Sequence, residues 1–324
     1  MIKGYKAFEA DMTCRGKQYE SYKTYEENGR RICKPGTMHF CETPLDCFDY
    51  YPILDEQARP YAFSHVKALG NTLFRNGNKR ATQKLYIGRK ISLRSFIKIG
   101  LDKVAEKLTR WSAKPTRYGR YAYDLLSNTI HAEITENQIN TSFEYAKARI
   151  GIIGADNRIS TSTLAATIAS TGSCNHIAAV SCASKIADTG RHTRIATTGG
   201  CSKIAALGED AQIVSTDSGS RYYTSGDESI VCCTGSHAAI RMEGKRSIGV
   251  ATGCFSRVSG KIGDWVVLAE WTLYKTDQSG ECVWIPVCVK AAQIDGKILK
   301  PNVLYCLRNG NIVEFDEEEG VLSL

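Results

Sequence analysis

Four basic residues, Lys185, Lys203, Arg221 and Arg257, recur at multiples of eighteen residues, and Ala239 fills the remaining step. On a regular scaffold such a series becomes a column of positive charge. Like charges about 4.8 Å apart repel by roughly 1 kcal/mol per pair or less at a wet surface. A fold has no need of that repulsion, so an anionic ligand held by charge-assisted hydrogen bonds is one reason to keep the column. Tyr222 and Tyr223 follow Arg221 directly and add aromatic surface for a nucleotide base. Lys185, Lys203, Arg221, Tyr222, Tyr223 and Arg257 are therefore the candidate ligand-binding residues. The alternative reading needs no ligand: long basic side chains also protect a strand face from aggregation.

Other chemistries find less support. Cys14, Cys33, His39 and Cys41 are zinc-ligand types, but their spacing is irregular and contains no C-x-x-C pair. Calcium binding by nonapeptide repeats needs an Asp at a fixed place in every unit. Here the sixth place runs Ser173, Cys182, Arg191, Gly200, Glu209, Ser218, Asp227. No Ser-His-Asp set, phosphate loop or carboxylate pair stands at a recognisable spacing. His176, His192 and His237 fall at outer or corner places of the repeat and read as solvated side chains. No catalytic residue, cofactor or metal is expected.

The scaffold for the basic column is legible as a period of nine. Stepping from Ile150 gives Ile159, Ile168, Ile177, Ile186, Ile195, Ile204, Ile213, Tyr222, Val231, Ile240, Gly249 and Val258. Four residues after most of these stands Gly, as at Gly172, Gly190, Gly208, Gly226 and Gly244, and the eighth place is nearly always small. The unit is I-A-x-T-G-x-x-S-x. Period nine fits no helical stripe, and a Gly in every unit opposes a helix. Five extended residues and a four-residue corner fit instead, with Gly supplying positive φ. Alternation then points the eighth, first and third residues inward and the ninth and second outward.

One Ile per strand with small neighbours fills a narrow space, so two units per coil are expected, giving a two-sided roll. Ile168, Ile186 and Ile204 form one inner column and Ile177, Ile195 and Ile213 the facing one. Thirteen units give six and a half coils, a stack roughly 30 Å long. Ala187, Ala196 and Ala205 point outward and leave flat surface suited to a symmetric contact, so a homodimer or homotrimer is expected. Ile262 and Trp265 look like a plug closing the stack.

The fold class is therefore mainly β. An N-terminal α+β domain covers 1–110, a connector 111–149, the nonapeptide β-solenoid 150–266, and a C-terminal β cap 267–324. In the first domain Tyr5 to Phe8, Lys17 to Glu27 and His39 to Cys41 read as strands, with turns at Asn28-Gly29 and Pro35-Gly36. Ile97, Leu101, Val104 and Leu108 mark one face of a helix from Leu93 to Thr109, capped by Ser92 or Ser95. The cap carries turns at Asp295-Gly296 and Asn309-Gly310.

Charge is unevenly spread. Residues 1–149 hold 26 Lys/Arg against 16 Asp/Glu, residues 150–266 hold 11 against 9, and residues 267–324 hold 5 against 9. A balance of +10 over the first 149 residues is what a solvated surface carries, and no nucleic-acid partner is expected. There is no run of 18 apolar residues, so no membrane span is expected. MIKGYKAFEADMTC has no apolar h-region, so the expectation is a cytoplasmic chain whose thirteen cysteines stay reduced.

GYKAF (Gly4 to Phe8), TCRGKQY (Thr13 to Tyr19) and CETPLDCFDYYP (Cys41 to Pro52) resemble an uncharacterised N-terminal domain of bacteriophage and prophage proteins, which often precedes tandem small-residue repeats. WVVLAEW, VKAAQIDGKILKP and LYCLRNGNIVEF are similar to the same family's tail. A G-F-H-A-C motif of that family is one residue longer here, at Gly36 to Cys41. The resemblance implies a viral or prophage setting inside a bacterium and brings no activity with it.

Taken together these readings favour a non-enzymatic binding or scaffold protein whose solenoid oligomerises and holds an anionic ligand, such as a nucleotide signal of host immunity. Two alternatives stand beside it. One is a nucleotide-acting enzyme with an ADP-ribosyltransferase-like N-terminal domain, using Tyr5, His39-Phe40 and Tyr50-Tyr51 around NAD. The other is a purely structural virion or adhesin-like protein.

Overall fold

In the computed structural model the described residues are all but 30–36, 75–77, 111–113, 117–118, 125–128, 135–137, 142–147, 276–281 and 317–324. The nonapeptides form a two-sided roll. Strands alternate between two parallel sheets, so that Ile168, Ile186 and Ile204 stack in register on one side and Ile177, Ile195 and Ile213 on the other. Seven rungs per side run from Arg149–Ile153 to Arg257–Ser259 and from Arg158–Thr161 to Trp265–Lys275. Both Ile columns are buried in one continuous core. Thr129–Ile134 and Gln138–Thr141 already pair in parallel with the first rungs, so the connector begins the winding before Ile150.

The corners meet the sequence expectation only in part. Gly154 and Gly172 take positive φ, but Gly190, Gly208 and Gly226 do not; the residue that regularly does is the seventh of the unit, as at Cys174, Ala183, His192, Cys201 and Asp210. The glycines are required for a steric reason. A Cβ on Gly190, Gly208 or Gly226 would lie 1.8, 1.5 or 1.7 Å from the carbonyl oxygen of the glycine one coil earlier. Close stacking of the corner backbones therefore excludes a side chain in the column Gly172, Gly190, Gly208, Gly226 and Gly244, whereas the facing corners admit Thr163, Ser181 and Asp217 at the fifth place. The eighth residue satisfies the corner: Asn175 Nδ2 donates to Gly172 O (3.0 Å) and Ser229 Oγ to Gly226 O (3.0 Å). Small polar side chains at that place remove the orphan carbonyls that a buried turn would otherwise carry.

A seven-stranded antiparallel sheet forms the N-terminal domain. Its strand Ile2–Phe8 lies between Met38–Cys41 and Ala62–Ala68. The helix spans Leu93–Arg110, and Ser92 Oγ accepts the Ser95 amide at 3.2 Å, as an N-cap should. The expected strand from Lys17 to Glu27 is broken into Lys17–Gln18 and Thr24–Glu26, and the Pro35-Gly36 turn lies outside the described residues.

At the far end, Ile262 is 61% exposed and Trp265 45%, so neither plugs the roll. Ile294, Leu299 and Tyr305 close the core instead. Asp295 Oδ1 accepts the amides of Lys297, Ile298 and Leu299, and Asn309 and Gly310 both take positive φ in a tight hairpin turn. No described helix is long and apolar enough to cross a membrane.

Candidate functional site

The basic column forms in the expected register: Lys185, Lys203, Arg221, Ala239 and Arg257 are successive rung partners. What faces it is the N-terminal domain. Lys203 Nζ and Arg221 Nη2 grip the two carboxylate oxygens of Glu56 at 2.9 and 2.6 Å. Arg257 Nη2 donates to Glu56 O (2.8 Å), Lys185 Nζ donates to Phe48 O, and Arg221 Nη1 donates to His237 O (2.8 Å). Arg257 also stands 4.5 Å from the Phe315 ring centroid. Burial would raise the Glu56 carboxyl, but the hydrogen bond from Lys203 and the charges of Arg221 and Lys203 outweigh it and hold the group below its usual range.

The second outward column on this side is equally engaged. Ala169, Ala187, Ala205 and Tyr223 join a core cluster with Phe48, Phe63, Phe96, Ile97 and Leu101 of the N-terminal domain. Tyr222 points inward, fully buried, and donates to Ser215 Oγ at 2.6 Å. The structure thus corrects the sequence expectation in three ways. The anion that meets the column is the chain's own Glu56. Tyr222 fills the solenoid core and Tyr223 the domain seam, leaving neither ring for a base. Ala187 and Ala205 are covered, and only Ala196 remains on an open face. Sequence periodicity places residues on a face but carries no record of which domain folds back onto it.

A concave site lies elsewhere, in the N-terminal sheet. A cavity of about 430 Å³ is lined by Lys6, Arg15, Lys17, Lys79, His39 and Tyr19, with Tyr5, Phe40, Tyr50, Tyr51, Cys14 and Glu27 also on its wall. Alternation along Ile2–Phe8 aims Lys6 inward, where it is 3% exposed. Its ammonium donates to His39 O (3.2 Å) and Cys14 Sγ (3.4 Å) and sits 5.3 and 5.5 Å from the Phe8 and Tyr19 centroids. No carboxylate pairs with it among the described residues. Lys17 pairs with Glu27 at the rim, and Lys79 lies 4.3 Å over the Tyr50 ring.

The electrostatics agree with the lining. Burial first, then the charges of Lys79, Lys6 and Arg15, lower His39 to about 4, so its ring is neutral at neutral pH. Burial raises Tyr50 to about 12 and raises Tyr51, whose hydroxyl lies 3.0 Å from Cys14 Sγ. The sequence alone offers Tyr5, His39, Phe40, Tyr50 and Tyr51 only as an NAD-binding set, and Cys14, Cys33, His39 and Cys41 only as zinc-ligand types, of which Cys33 lies outside the described residues. It missed Lys6, Arg15, Lys17 and Lys79. The available signal was Lys6 itself, a charge at an inward place of a strand that reads apolar on that side. Among the described residues no three His, Cys, Asp or Glu side chains converge as a metal site.

A family model described as a domain of unknown function (DUF7666) matches residues 2–99, the segment that builds this cavity. No curated protein and no solved structure matches the chain.

Proposed function

We propose that the chain is a non-enzymatic binding protein that takes a small phosphate-bearing ligand, of nucleotide type, into the basic cavity of its N-terminal domain. The observation that carries this reading is Lys6, a buried ammonium without a counter-charge among the described residues. Burying an unpaired charge is costly, and a fold tolerates it where a ligand supplies the missing anion. Arg15, Lys17 and Lys79 add positive charge around it, and Tyr19, Phe40, Tyr50 and Tyr51 add aromatic surface for a base. A volume of about 430 Å³ is within the range of small-molecule sites. In the viral setting implied by the N-terminal motifs, the ligand would be a host nucleotide signal held in the bacterial cytoplasm. The solenoid serves as the scaffold that carries this domain.

The transferase reading draws on one fact: Tyr5, His39, Phe40, Tyr50 and Tyr51 do line one cavity, with Glu27 beside them. Against it, Glu27 is engaged by Lys17 at the rim. Calorimetric titration with orthophosphate, mononucleotides, cyclic nucleotides and NAD tests both readings. Lys6→Met should weaken phosphate-ligand binding at least tenfold while the melting temperature of the unliganded protein holds or rises. A melting temperature that falls, with binding unaltered, would assign Lys6 to packing alone. Release of nicotinamide from NAD would instead favour the enzyme.

A further inference from the structure

Among the described residues, no domain is folded on the second sheet of the roll. Its outward columns are Arg158, His176, Arg194, Gln212, Ile230, Ile248 and Trp265, and beside them Ser160, Ala178, Ala196, Val214, Cys232, Val250 and Val267. The two ends of this face differ. The early rungs are basic and small, and they line a shallow depression of about 380 Å³ bounded by Arg158, His176, Arg194, Ala178, Ala196 and Val214. The late rungs are bulky and apolar: Val214 is 58% exposed, Ile230 43%, Ile248 38% and Trp265 45%. The same sheet continues into the hairpin strand Cys282–Gln293, where Val287 and Val289 also face solvent.

We infer that this face is the contact between two copies of the chain, related by a two-fold axis running along the strand Ile230–Cys233. Rung order and register fix what such an axis brings together. Each rung at a given distance before Ile230–Cys233 meets the rung at the same distance after it, and the position along the strand is retained. Arg194 therefore meets Trp265 of the second copy, Gln212 meets Ile248, Ala196 meets Val267, and Val214 meets Val250. On the axis Ile230 and Cys232 each meet themselves.

Three features favour this occupant. The depression beside Arg194 and Ala196 receives Trp265, which is 45% exposed, and Val267, so hollow meets ridge. The guanidinium of Arg194 comes onto an indole face, a favourable cation–π pairing. An axis along the stack instead would crowd both copies' Arg158 and Arg194 at one end, and like charges oppose that. The overlap about this axis spans the seven strands from His176–Ala179 to Cys282–Gln293. At about 4.8 Å apart and about 13 Å long they give about 440 Å² of footprint per copy, or about 870 Å² in total, the scale of a weak, reversible dimer.

The inference does not depend on the ligand of the N-terminal cavity. Native mass spectrometry or sedimentation of the full chain at micromolar concentration should give twice the chain mass. Ile230→Glu, which changes an exposed side chain, should give a monomer with an unaltered circular dichroism spectrum, and Trp265→Ala should raise the dimer Kd at least tenfold. A short bismaleimide should link the two copies through Cys232, in the wild type and in Cys182→Ser but not in Cys232→Ser. A monomeric wild type overturns the inference. So does a dimer that survives Ile230→Glu, or a cross-link that survives Cys232→Ser.

Discussion

The two faces of the solenoid are built from the same nine-residue unit, yet one is sealed and the other is open. On the sealed face the outward columns are Lys185, Lys203, Arg221 and Arg257 beside Ala187, Ala205 and Tyr223, and all meet the N-terminal domain. On the open face Arg194, Ala196, Val214 and Ile230 meet solvent. Composition alone does not separate them, because both begin basic and small. The lesson is that a repeat fixes the interior and the spacing, while the role of each face is assigned by what packs on it. A row of cations on a buried seam is an adhesive for a domain; a similar row on an open face is available to another molecule.

The largest expected effect lies in what the faces share. Gly208→Ala sets a Cβ against Gly190 O and should cost about 1–3 kcal/mol or more through forced backbone displacement. Ile195→Ala should cost about 2–5 kcal/mol as a core truncation. Denaturant unfolding measures both, and Arg158→Ala on the open face, losing less than about 0.5 kcal/mol, is the control.

The faces themselves separate next. Glu56→Ala leaves the nearly buried Arg221 guanidinium without its carboxylate and should cost about 1–3 kcal/mol, reduced toward the lower end because Glu56 is 64% exposed. The loss should appear as earlier melting or faster hydrogen exchange at the seam, with exchange in the Ile177, Ile195 and Ile213 rungs unchanged. Equal effects on both faces would mean that the seam does not distinguish them. The pH dependence has a definite sign. A Glu56 carboxyl held below its usual range stabilises the seam above the unfolded value of about 4.3 and loses that contribution as pH falls through the lower folded value.

His39 supplies the most specific effect. Its folded value of about 4 lies below the unfolded value of about 6.5, so the unfolded chain binds the extra proton first. Stability should decline as pH falls from about 6.5 to 4, and His39→Asn should flatten that part of the melting profile. An anion bound beside Lys6 should raise the His39 value, so NMR titration of the ring with and without phosphate reads the ligand directly.

The interior of the roll was determined by the sequence alone. Ile every nine residues, small eighth places and a recurrent Gly dictate two facing columns, because a strand alternates its faces and a narrow core accepts one large side chain per rung. The helix cap at Ser92 and the Asn309-Gly310 turn were legible for the same reason, since each is settled by residues within a few places along the chain. What only the tertiary structure decided involves residues far apart in sequence. Glu56 meets Arg221 across 165 residues, and Lys6 meets the His39 carbonyl across 33. Periodicity encodes direction along an element. It does not encode which distant surface supplies the opposite charge, so the basic column reads as a ligand site, and the cavity around Lys6 exists only where separate strands and loops of the N-terminal domain converge.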